Sequence, residues 1–189
     1  MDTSRHGLWA LGLIAALVVG LTATPAAAQG LEAWAPAPDE HFADARIDAA
    51  VRTMIEGKVR RGAALLTRRM AEIEREVSRA FGGPLISVRR SAAPARAVLD
   101  RWTHGGGAVL RIDRHRFRWT PRLLKIAAFA AASTGDKAAA AALVCELVET
   151  GEASAEDLDA ARPFAAAAGV PVLLGACIEE GAAARREQP

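Results

Sequence analysis

Between Asp39 and Phe81 the apolar positions Ile47, Val51, Ile55, Val59, Ala63, Leu66, Met70, Ile73, Val77 and Ala80 recur at spacings of four and three, the stripe of an amphipathic helix. Asp39 is a candidate N-cap, and Gly82-Gly83-Pro84 supplies a stop. A glycine inside a helix costs about 1 kcal/mol relative to alanine. Gly57 and Gly62 therefore leave two options, a helix pair with a turn near Gly57 or one long helix weakened there. From Val59 onward the spacing also suits a coiled coil, although a helix facing an ordinary core shows the same stripe over so short a run.

The last third is organised by punctuation rather than by a strong stripe. Thr120-Pro121 is a cap followed by proline at the first helical position, Gly135 is a stop followed by the cap Asp136, and Gly151 is the next stop. Ser154 with Asp157 has the capping-box pattern, and Gly169 is followed by Pro171. Four short helices are predicted, over 121–134, 137–150, 155–168 and 171–184. Between the two helical parts, Leu85–Val88 and Val109–Trp119 are strand-like runs that suggest a small hairpin, with a short helix over 91–103 ended by Gly105-Gly106-Gly107. Read as one strand, the second run places Arg111, Asp113, His115, Phe117 and Trp119 on one face and Ile112, Arg114, Arg116 and Arg118 on the other, neither of them cleanly apolar. Residues 29–38 alternate alanine and proline, which suits an extended tail. The expected fold is mainly α: a long amphipathic N-terminal helix or helix pair, a small irregular or β-hairpin middle, and a C-terminal four-helix unit of two hairpins. Residues 39–189 are expected to form a single domain.

The first 28 residues read differently. Arg5 and His6 precede the apolar run Leu8–Leu21, and Ala26-Ala27-Ala28 then offers the A-x-A pattern of a signal-peptidase site. The run is short of the roughly 20 residues that span a bilayer. Export to a periplasmic or extracellular space is expected, with Gln29 as the new N-terminus and membrane contact only through an uncleaved signal. In such a compartment Cys145 and Cys177 are expected to form one disulfide, the alternative being two buried thiols on separate helices.

Composition sharpens this in two ways. Alanine accounts for 45 of the 189 residues, against 4 Trp, 5 Phe and no Tyr, so the core must be built from closely spaced helices. Charge is segregated: residues 29–58 carry −3, residues 59–125 carry +11 and residues 126–189 carry −6, with 21 Arg against 3 Lys in the whole chain. A basic middle zone favours an anionic partner, and arginine suits bidentate contact with carboxylate or phosphate. Its own acidic zones are the competing partner. Arg111, Arg114, His115, Arg116, Arg118, Trp119 and Arg122 interleave cations with aromatics and form the candidate ligand- or partner-binding group, although Trp102 and Trp119 also have the character of core anchors.

Catalytic chemistry leaves no comparable trace. G-x-S-x-G, G-x-x-x-x-G-K, H-E-x-x-H and C-x-x-C-H are all missing, and no cofactor or metal is expected. Asp113 and His115 with His104 or His41 were the nearest thing to a ligand set. Glu72, Glu74 and Glu76 are spaced to pair with Arg68, Arg69, Arg75 and Arg79 along one helix.

Overlaying 121–154 on 155–188 pairs Leu124 with Leu158, Ala127 with Ala161, Ala131 with Ala165, Gly135 with Gly169 and Ala142 with Ala176. A 34-residue helical-hairpin period with small residues at the contacts resembles the tetratricopeptide repeat family, over these residues only and with alanine at the family's aromatic positions. The resemblance implies a stack of hairpins that binds other proteins and has no catalysis of its own. The expectation is thus an exported adaptor or scaffold of the cell envelope with an envelope protein as partner. The alternatives are a binder of an anionic lipid or polysaccharide through the Arg/Trp-rich zone 89–122, and a small exported enzyme. Nucleic acid is not an expected partner.

Overall fold

A computed structural model of the chain describes residues 30–81, 109–113 and 116–186, and these are mainly helical. The expected export segment 1–28, the run 85–88, the helix over 91–103 and the site residues Arg114 and His115 lie outside them.

The N-terminal stripe is a helix pair, α1 (Ala45–Ile55) and α2 (Val59–Phe81), reversing at Gly57. The cap of α1 is Asp44 and not Asp39. Its carboxylate accepts the N–H groups of Arg46 and Ile47 at 3.1 and 2.9 Å, while Asp39 belongs to a preceding segment that runs elsewhere. The helices bury Ile47, Val51 and Met54 of α1 against Leu66, Met70, Ile73 and Val77 of α2.

Gly62 explains its own presence in the helix. A Cβ there would lie 2.3 Å from Met54 Cγ and 2.7 Å from the Ala50 carbonyl oxygen. Gly62→Ala is therefore expected to destabilise the protein, because overpacking of about 1 to 3 kcal/mol exceeds the roughly 1 kcal/mol alanine gains in propensity. A higher urea midpoint in the variant would contradict this.

Strands β1 (Leu110–Asp113) and β2 (Arg116–Trp119) pair antiparallel, with Leu110 opposite Trp119, Arg111 opposite Arg118, Ile112 opposite Phe117 and Asp113 opposite Arg116. The run expected as one strand is thus two paired strands, 110–113 and 116–119. That pairing sorts the residues: positions 110, 112, 117 and 119, all apolar, fall on one face, and 111, 113, 116 and 118, all charged, on the other.

The C-terminal part is α3 (Pro121–Ser133), α4 (Lys137–Glu149), α5 (Ala155–Ala165) and α6 (Val172–Arg186), close to the expected limits. Gly135, Gly151 and Gly169 take φ of 90°, 71° and 85° at the three helix ends, the conformation that made them readable as stops. Helix α3 packs on α2 and α4, and α4 on α5 and α6, around Leu123, Leu124, Ile126, Leu147, Leu158 and Ile178. Fully buried alanines at 128, 140, 141 and 161 let these backbones approach. Cys145 of α4 and Cys177 of α6 form a disulfide pair with Cα atoms 6.0 Å apart, within the span a bridge requires.

The expected extended tail is instead part of the folded body. Residues 30–32 make a helical turn, and Trp34 is only 1% exposed. Enough indole surface is buried there to outweigh the cost of ordering a proline-rich segment.

Candidate functional site

Of the arginine- and tryptophan-rich group, Arg118, Trp119 and Arg122 are the members whose side-chain surroundings the described residues show. Trp119 is buried, and its indole N–H donates to Glu74 Oε1 at 3.0 Å, fixing the hairpin to α2. Arg122 faces inward: Nε–H and Nη2–H donate to the two carboxylate oxygens of Glu40 at 2.7 Å each, and the same guanidinium donates to the carbonyls of Ala33 and Ala35 at 3.3 and 2.7 Å. Both side chains are engaged with groups of the chain itself. Arg118 is half-buried and acts on Glu146. Burial pushes the Glu146 carboxyl up, Glu74 and Glu149 add to the shift, and Arg118 opposes it. Arg111 and Arg116 are placed by their strand register alone, opposite Arg118 and Asp113.

What does gather on a surface lies on α2. One network neutralises its inner edge. Arg69 donates to Asp44 (2.9 Å) and Glu72 (3.2 Å), while Arg46 and Arg68 also reach Glu72, at 2.6 and 3.2 Å. Burial would raise the Asp44 carboxyl, but Arg69 and the capped N–H groups outweigh it and hold it below the ordinary carboxylate range. The expected pairing of Glu72 with Arg68 and Arg69 is present, while Glu72 is shared among three arginines and Glu74 is engaged by Trp119. Arg60, Arg61, Arg75 and Arg79 are exposed and make no salt bridge among the described residues; Arg75 donates only to the Ala71 carbonyl of its own helix, and Arg61 feels Glu56 at longer range. Leu65, 40% exposed, lies between them. Arg61, Arg68 and Arg75 recur every seven residues, about 10 Å of helix each, a signal that was legible but was read as internal pairing.

Two other features are smaller. Val172 and Leu173, 87% and 82% exposed, project from the start of α6. A cavity of about 170 Å³ lies between α4, α5 and α6, lined by Val148, Ala153, Leu158 and Ala184 with Arg185 at its rim. Among the described residues, no group of three or more His, Cys, Asp or Glu is placed to hold a metal ion, and no helix is long and apolar enough to cross a membrane.

No protein-family model, no curated protein and no solved structure matches the chain. The tetratricopeptide resemblance accordingly stays a likeness of hairpin spacing.

Proposed function

We propose that this protein is an exported helical interaction protein of the cell envelope, an adaptor or scaffold without catalysis of its own, and that it docks an acidic envelope protein on the outer face of α2. The observation that carries the reading is the row of exposed arginines on that face that make no salt bridge among the described residues. A protein partner is favoured over a lipid surface. Helices that lie on membranes bury their apolar face in the bilayer, and the apolar face of α2 is committed to Ile47, Val51 and Met54 of α1. Arginine flanking a lone exposed leucine is also the composition of protein interfaces.

The test is capture of envelope proteins on the immobilised chain, with Arg60, Arg61, Arg75 and Arg79 replaced together by Gln in a second sample. Partner binding should fall steeply with salt and be lost in the variant. The melting temperature should stay nearly unchanged, since no salt bridge is removed. Retention of anionic phospholipid vesicles or acidic polysaccharide in place of a protein would overturn the assignment of partner. Undiminished protein capture by the variant would remove α2 from the reading.

A further inference from the structure

We propose that the space between α3 and α5 is a peptide-binding groove occupied in this structure by the chain's own residues 30–40. Its external ligand would be a partner segment of the same chemistry, an indole followed about six residues later by a carboxylate. This surface is separate from the α2 face.

The contacts divide as a ligand and its receptor do. From the segment come the Trp34 indole, the main-chain carbonyls of Ala33 and Ala35, and the Glu40 carboxylate. From α3 comes Arg122, one guanidinium that takes the two carbonyls and both oxygens of Glu40. From α5 come Asp157, which accepts the indole N–H at 2.9 Å, and Phe164, whose ring lies 6.3 Å from the indole. Lys125 of α3 donates to the second oxygen of Asp157 at 2.8 Å and joins the two walls. Helices α3 and α5 scarcely touch each other directly, so the segment fills the gap between them. At its start Gly30 lies flat on α5, where a Cβ would stand 2.6 Å from Ala160 Cβ.

The segment can also leave without unwinding a helix. Residues 41–43 have no regular structure, and the cap of α1 is supplied after them by Asp44. Beyond the helical turn at 30–32, Pro36 and Pro38 keep the rest of the segment out of helical conformation whether or not it is docked. A competing segment would therefore meet preformed groups: a cation for its carbonyls and carboxylate, a carboxylate for its indole N–H, and an aromatic wall.

The experiment uses the full chain and a fluorescein-labelled peptide of residues 30–42, read by anisotropy. Trp34→Ala empties the indole slot and should bind the peptide at least about tenfold more tightly than the wild type, whose own segment competes. Adding Arg122→Gln to that variant should reverse the gain, since a charge-assisted contact is worth about tenfold in affinity. A peptide with alanine in place of Trp34 should not bind. Glu40→Gln provides a second opening that leaves the indole in place. It should also raise peptide binding, by a smaller factor. The proposal is overturned if a folded Trp34→Ala chain takes up no more peptide than the wild type. Should that variant not fold, the absence of any gain in Glu40→Gln overturns it equally. A wild-type chain that excludes peptide but dimerises by exchanging its first segment would show that the groove accepts only a second copy.

Discussion

Replacing Asp157 by alanine is expected to lower stability by about 3 to 5 kcal/mol, the cost of breaking a buried charge pair from one side. The carboxylate is buried and has three donors around it, the Ser154 N–H at 2.8 Å, the Trp34 indole and Lys125, while the Asp157 main-chain N–H donates to the Ser154 hydroxyl to complete the capping box. Its loss leaves the Lys125 ammonium and the Trp34 N–H without their acceptor, and removes the Asp157 half of the α5 capping box. For a chain of this size the change corresponds to a fall in melting temperature of roughly 10 °C. A loss below about 1 kcal/mol would mean that the segment at 30–40 is held by Arg122 alone.

The same group predicts an acid limb. Burial would raise the Asp157 carboxyl, but Lys125, the Ser154 contacts and Trp34 outweigh it and hold it below the ordinary value of 3.8. A depressed carboxyl contributes stability that is complete above its unfolded pKa and is lost as the pH falls through its folded one. The stability of the wild type should hold from neutrality to near pH 4 and then decline. In Asp157→Asn that part of the acid decline should be missing, leaving the contributions of other depressed carboxyls such as Asp44 and Asp48.

The disulfide should weigh almost as much. Removing both thiols by Cys145→Ala and Cys177→Ala is expected to cost about 3 to 4 kcal/mol for a loop spanning 32 residues, on the chain-entropy account. Helix α6 depends on it more than the rest of the fold, because only Ile178 and Ala182 of that helix are buried. Reductant should destabilise the wild type and leave the double variant unaffected. Hydrogen exchange should accelerate first over 172–186. Equal stability in reducing and oxidising buffer would show that α6 is held by packing alone.

What could be read in advance was what is encoded locally. The glycines at 135, 151 and 169 and the Ser154–Asp157 box act within one turn of the backbone, and the helix limits followed from them. Trp34 could not be placed this way: its partner is 123 residues away, and the flanking prolines speak only of local conformation. The strand 109–119 misled for a related reason. Alternation presumes an unbroken strand, and Arg114-His115 carries none of the usual turn chemistry. On α2 helical spacing correctly paired Arg68 and Arg69 with Glu72, but it could not show that residues distant in sequence, Arg46 and Trp119, also claim Glu72 and Glu74. In each case local rules were right about the backbone and silent about long-range competition for a side chain.

The docking of Trp34 on α5 also sets an order of events during synthesis. As the chain emerges from the ribosome, α1 and α2 can pair at once, since both helices and the Asp44 cap lie close together in sequence, between Asp44 and Phe81. The indole has no lasting place until Asp157 and Phe164 have followed it, more than a hundred residues later. The first segment of the folded domain is thus among the last to be secured. Until the final third of the chain has been made, residues 30–40 stay undocked.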